Sequence, residues 1–285
     1  MIELIVPYVL DGGTDTRARL LARFLQDRLG EPIHVVNRLG AVAGHAAIAA
    51  APPDGRTLGM ITGEIGMMHW QDGVTDLTPA NYTALAVPFV EAAAVIVRAD
   101  APFGDLRGLL DSLRSRILRG SGSPDFGVWK FALMGLLDEA GIERTQVEWT
   151  PSISGEAGVE KLLAGTADIA PVPMVEARAA IAAGQARALA TMDAARHPRF
   201  PDVPTVREAI GVAWRVAHWR GLVAPAGLAE TARHRYIDAL SAIARDDAFA
   251  EACRAIGFSL AWRIGDDFTR YMAEDDAQFG TILRR

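Results

Sequence analysis

The chain has 285 residues, half of them apolar, enough for a substantial core and, at roughly 100–200 residues per domain, for two domains. A net charge of −6 and scattered Lys and Arg leave no basic stripe for a phosphate backbone, which argues against nucleic acid as a partner. No apolar run approaches the ~18 residues of a membrane span, because the richest stretch, residues 83–97, is broken by Pro88 and Glu91.

In chain order, a strand at residues 2–7 runs into the loop Asp11-Gly12-Gly13-Thr14-Asp15 and then a helix from Thr16, closed by Gly30. Glycines before a helix N-terminus gather unpaired backbone N–H groups where the macrodipole is positive, a receptor site for a small anion. A strand at 33–36 leads to a second loop, Leu39 to Gly44, with His45 at the start of an alanine-rich helix that stops at Pro52-Pro53-Asp54-Gly55. The strand at 57–61 ends in Thr62-Gly63-Glu64. In a parallel sheet these three loops meet at one edge.

Residues 82–87 and 91–97 read as strands and 104–115 as a helix. A second βα unit then repeats the first: strand 117–120, loop Ser121-Gly122-Ser123-Pro124 and helix 126–140. Strand 146–149, helix 155–164, strand 168–170, helix 174–183 and strand 186–191 follow. An extended segment at 214–223 crosses back, and helices 229–245 and 247–256, a strand at 258–262 and a helix from Asp266 complete the chain. The expected fold is α/β, two Rossmann-like lobes at 1–98 with 219–285 and at 99–218, with a ligand cleft and hinge between them. Thr205 with Glu208 forms a capping box behind Pro204, so that segment starts a helix and does not touch ligand. The single Cys253 lies on a helical stretch as a small core residue, and one cysteine makes no internal disulfide.

Several stretches carry a family resemblance: Pro7-Tyr8 followed by Gly12-Gly13-Thr14-Asp15 and Arg19-Leu20-Leu21-Ala22; Val36-Asn37-Arg38; Pro53-Asp54-Gly55; Leu162-Leu163-Ala164-Gly165; Pro201-Asp202-Val203-Pro204-Thr205-Val206-Arg207-Glu208-Ala209; and Gly221-Leu222 with Ala224-Pro225-Ala226-Gly227. Together they resemble the periplasmic solute receptors of tripartite tricarboxylate transporters, the Bug receptors. The resemblance implies a type II periplasmic-binding-protein fold, a small organic acid ligand held by backbone groups of the first lobe and bridging waters, and membrane transporter subunits or a sensor kinase as partners. It also implies a periplasmic, monomeric protein whose leader is absent from this chain. If Met1 is the native start, the alternative is a cytoplasmic effector-binding protein of the same fold; a further alternative is an enzyme acting on a small carboxylate.

The expected ligand-binding residues are Tyr8, Val9, Asp11, Gly12, Gly13, Thr14 and Asp15 in the first loop, Gly44 and His45 in the second, and Thr62 and Gly63 in the third. Ser121, Gly122, Ser123, Trp129, Trp149 and Ser152 are expected from the second lobe. No catalytic residue, metal ligand or cofactor is expected: no Gly-x-Ser-x-Gly elbow, Walker lysine or metal-spaced histidine cluster is present. Three departures from the family bear on the ligand. Asp11 stands where glycine is usual and caps the helix, faces solvent or meets an ammonium on the ligand. Ser152 and Ile153 replace a Tyr-Lys pair. Phe126 and Trp129 replace polar residues and, with Tyr8 and Trp149, wall a pocket for an apolar or aromatic acid or belong to the core. A monoacid, or an acid whose second polar group stays near the cleft mouth, is therefore expected over a citrate-like triacid, which would require a basic residue such as Arg178 or Arg220 to reach the ligand.

Overall fold

A computed structural model describes residues 1–122, 127–152 and 154–284. Its elements in chain order are β1 (Ile2–Val6), α1 (Gly13–Leu29), β2 (Ile33–Asn37), α2 (Ala41–Ala49), β3 (Thr57–Thr62), α3 (Ile65–Met68), β4 (Tyr82–Ala92), β5 (Ala94–Arg98), α4 (Leu106–Leu113), β6 (Leu118–Gly122), α5 (Val128–Glu139), β7 (Val147–Pro151) and α6 (Gly155–Leu163). After them come β8 (Ala170–Val172), α7 (Arg178–Ala182), β9 (Ala186–Thr191), α8 (Val206–Ile210), β10 (Ala217–Pro225), α9 (Glu230–Ala244), α10 (Asp247–Ala255), β11 (Leu260–Ile264) and α11 (Asp266–Leu283). They form two compact units, Met1–Val90 with Trp219–Arg285, and Glu91–His218.

The first unit is built on a six-stranded sheet in the order β11-β4-β10-β3-β1-β2. β1 pairs parallel with β2 and β3, whereas β10 runs antiparallel to β3. Period-two alternation splits each central strand between two cores. Leu4, Val6, Leu58 and Met60 pack under α1, α9 and α10 through Leu21, Leu25, Tyr236, Leu240 and Phe249. Ile5 and Ile61 pack on the other face with Ile48 of α2, Met68 of α3 and Phe268 and Met272 of α11. Each such fully buried side chain contributes about 1.5–3 kcal/mol relative to exposure. Cys253 lies in the first of these cores, and burial pushes its thiol up to about 11, so it is inert packing. In β4, Pro88 removes one ladder donor inside the sheet, and the β4–β11 register shifts over that stretch, between Leu260 and Arg263.

In the second unit β5 lies between β8 and β9, antiparallel to both, and β6 pairs parallel with β7. Gly120 bridges to Ile169, and Ser121 N donates to Ile169 O at 2.8 Å, which ties β6 to the start of β8. Residues 94–98, placed with the first lobe in the sequence reading, therefore hydrogen-bond within the second unit. The Thr205–Glu208 capping box forms in both directions, with Glu208 N on Thr205 Oγ1 at 3.1 Å and Thr205 N on Glu208 Oε2 at 2.8 Å.

Candidate functional site

The first glycine loop turns on Asp11, whose φ of 60° makes it the one non-glycine residue in the left-handed region among the described residues. That turn starts α1 at Gly13, three residues earlier than the apolar periodicity placed it, with Gly12 as an extended N-cap that offers no side-chain cap. Asp11 N donates to Asp15 Oδ2 at 3.0 Å and Gly12 N to Val9 O at 3.2 Å. Two of the five N–H groups expected to face an anion are thus bonded within the loop, and those of Gly13, Thr14 and Asp15 remain at the uncapped helix start. Val9 is exposed, as is Asp11, so its carboxylate is on the solvent side of the turn.

The Asp15 side chain is not placed to contact a ligand. It is wholly buried and accepts from Arg19 Nε at 2.8 Å and Asn37 Nδ2 at 2.8 Å as well as from Asp11 N. Burial works against its charge, but these hydrogen bonds win and hold the carboxyl below the ordinary Asp value. Asn37 also donates to Tyr8 O at 2.9 Å, so one buried carboxylate fixes the ends of β1, β2 and the turn.

A polar cluster sits beside this helix start. Arg220 of β10 lies opposite Thr62 of β3 in the antiparallel register, and its Nε reaches Thr14 Oγ1 at 3.4 Å. The Tyr8 hydroxyl lies 2.6 Å from Thr62 Oγ1 and donates to Glu64 Oε2 at 2.7 Å. Burial raises the Glu64 carboxyl, and the Tyr8 hydrogen bond and the Arg220 charge oppose the rise. Tyr8 is likewise pushed up, first by burial and then by the Glu64 charge. Arg220 and Glu64 were absent from the expected set. Glu64 closes the third loop and was legible there, whereas Arg220 is one charged residue in an extended run, and only strand pairing shows where it goes. Arg178, the other basic candidate, donates to Val175 O at 3.1 Å from the exposed start of α7.

Gly44 and Gly63 serve the backbone. A Cβ on Gly44 would lie 2.6 Å from both Arg38 O and Pro7 Cβ, so α2 seats against the end of β1 only with glycine there. Gly63 N donates to Trp219 O at 3.2 Å. His45 is fully buried, with Nδ1 2.5 Å from Ala41 O, and burial pulls it down to about 4. It is therefore neutral at pH 7, Nδ1 carries the proton, and Nε2 is a buried acceptor with no hydrogen-bond partner among the described residues. Its ring meets that of Tyr8 edge-on, with centroids 6.3 Å apart.

In the second unit, Ser121 is buried and its Oγ takes no partner among the described residues. A Cβ on Gly158 of α6 would lie 2.8 Å from that oxygen and 3.5 Å from Ser152 Oγ, so the two serines gather at the first turns of α6. The Glu176 carboxylate fills the space beside Gly155, with Oε2 1.5 Å from where a Cβ would be. Trp149 packs its ring over Gly120 and Gly122, and Trp129 packs against the core around β5 and α6 and meets His218 edge-on at 5.6 Å. Both tryptophans thus have structural neighbours of their own. Ser123 and Phe126 lie outside the described residues. Among the described residues no group of His, Cys, Asp and Glu could hold a metal ion.

Comparison with known proteins adds to this geometry. Residues 17–285 match the family model described as "Tripartite tricarboxylate transporter family receptor". Protein BugT of Bordetella pertussis is 34% identical over 242 residues, covering 79% of this chain and 71% of its own. A TctC solute-binding protein from Polaromonas, solved without ligand, superposes with a TM-score of 0.88 at 25% identity, covering 99% of this chain and 97% of its own. MatC from Rhodopseudomonas palustris, solved with bound malate, superposes at 0.79 with 23% identity, covering 99% of this chain and 98% of its own.

Proposed function

The chain belongs to the tripartite tricarboxylate transporter receptor family, and we propose that it captures a small organic carboxylate at the start of α1 and hands it to membrane transporter subunits or an associated sensor. The observation that carries this reading is Arg220 Nε at Thr14 Oγ1, beside a helix start that has no side-chain cap. A guanidinium and oriented backbone N–H groups offer a carboxylate both a charge and donors that need no reorganisation. The malate bound by MatC agrees with a small-acid ligand.

The same reading makes the protein a receptor acting in the periplasm, with no reaction of its own. Glu64 near Arg220 disfavours a ligand with several carboxylates, because an added one must be buried near like charge. Calorimetry across aliphatic, aromatic and tricarboxylic acids tests this. The best ligand is expected to be an acid with fewer carboxylates than citrate. Arg220→Met is expected to weaken it about 10- to 100-fold, the ~1.5–3 kcal/mol of a hydrogen bond to a charged group. Unchanged affinity in that variant rules out the anchor.

A further inference from the structure

Resting on the carboxylate reading above, we propose that capture of the acid is coupled to uptake of a solvent proton by the Glu64 carboxylate, so that the receptor holds its ligand more tightly in acid than in alkaline surroundings. Glu64 directly follows β3 and its Gly63 and is the carboxylate of the polar cluster beside the start of α1. Its Oε2 accepts from the Tyr8 hydroxyl at 2.7 Å, and that hydroxyl lies 2.6 Å from Thr62 Oγ1. Thr62 stands opposite Arg220, whose Nε reaches Thr14 Oγ1 at 3.4 Å. An anion at the N–H groups of Gly13 and Thr14 therefore enters the partly buried cluster that already holds the Glu64 charge. Like charges in such surroundings repel with little screening by salt. A proton taken from solvent onto Glu64 Oε1 removes the repulsion and leaves Oε2 as the acceptor for Tyr8.

The surroundings leave Glu64 as the group that takes the proton. Burial already favours its neutral form, against the Tyr8 hydrogen bond and the Arg220 charge. Tyr8, at the end of β1, stays protonated because burial and the Glu64 charge push it up. His45 of α2 meets Tyr8 edge-on and stays neutral, since burial pulls it down to about 4. In the first loop Asp15 is held ionised by Arg19 and Asn37, and Asp11 is exposed to solvent. Behind α3, the helix α11 sets Asp276 on His69 Nε2 at 3.0 Å and Asp275 on the Trp219 indole at 2.9 Å. By linkage the effect is reciprocal: the factor by which the acid strengthens proton binding to Glu64 is the factor by which the proton strengthens binding of the acid.

Titration calorimetry on the full chain with lactate, 3-phenylpropionate, malate and adipate tests the proposal, run at pH 6.5 in PIPES and in imidazole, whose ionisation heats differ, and again at pH 8. The acid that binds most tightly is expected to take up about 0.3 proton or more per molecule bound at pH 6.5, and to bind about fivefold or more tightly there than at pH 8. Glu64→Gln has the shape of the protonated side chain. It is expected to abolish the uptake and to bind at pH 8 about as tightly as the wild type does at pH 6.5. Heats that are the same in both buffers overturn the proposal, and so does an uptake that survives in Glu64→Gln, which would belong to another group. If that variant does not fold, the carbon-13 shift of Glu64 Cδ in the wild type decides: its titration is expected to move to higher pH when the acid is added, and an unmoved titration overturns the proposal. Binding without proton uptake leaves the carboxylate reading standing. No binding by any of the four acids removes both.

Discussion

Trp219 donates its indole N–H to Asp275 Oδ2 at 2.9 Å, and both residues are buried where α11 packs on the sheet. Burial, aided by the neighbouring Asp276 charge and opposed by the Trp219 bond, pushes the Asp275 carboxyl up to about 8. It is therefore protonated at pH 7 in the folded protein and ionised in the unfolded chain.

The consequence for stability has a definite sign. Because the native state holds a proton that the unfolded state releases, stability falls as pH rises from about 4 to about 8, by up to ~1.4 kcal/mol per unit, and then levels off. Asp275→Asn keeps an acceptor for Trp219 without the ionisation. Urea melts at pH 5 and pH 8 are expected to show the variant gaining stability over the wild type at the higher pH. A parallel decline in both proteins contradicts the assignment.

Asp15 has the opposite sign. Its carboxyl is held low by Arg19, Asn37 and Asp11 N, so its contribution is present above the unfolded value near 4 and disappears as pH falls through the lower folded value. Asp15→Ala leaves three donors without their acceptor and is expected to cost about 2–4 kcal/mol at pH 7. The gap from wild type should shrink below pH 4 in thermal melts.

Gly13→Val tests the approach to the helix start. A Cβ there would sit 3.0 Å from Arg17 Nη1, which is buried and donates to Gly13 O at 2.8 Å, so the guanidinium must give by a few tenths of an ångström and the fold is expected to persist with a loss of about 1 kcal/mol. The added methyls cover the N–H groups of the first turn, and acid binding should be lost. Wild-type affinity in a folded variant would place the anion elsewhere.

Gly135 packs α5 against Trp214. Alanine gains about 1 kcal/mol of helix propensity there, but its Cβ would lie 2.2 Å from the indole, which is pinned by a 2.9 Å bond from Nε1 to Ala132 O. The clash is expected to win by about 1–3 kcal/mol, read as a lower melting temperature with altered tryptophan fluorescence. A stabilised variant would show that the ring is free to move.

Much of this molecule follows from local chemistry. Alternating apolar residues in β1 and β3, Gly30 closing α1, and the Thr205–Glu208 box each act over a few residues, so the sequence determined the βα order, the glycine loop before α1 and the start of α8. It also carried Tyr8, Thr14 and Thr62 to the same edge, because parallel strands deliver their following loops together. What the loop's groups do was decided by tertiary structure. The Asp15 carboxylate turned from a possible ligand contact into a buried support because Arg19 and Asn37 converge on it. Arg220 meets Thr14 from 206 residues away only because β10 inserts antiparallel beside β3. No propensity or motif near residue 220 encodes that meeting; it depends on which strand edge β10 finds, and that is set by burial of Leu222 and Val223 on opposite faces of the finished sheet.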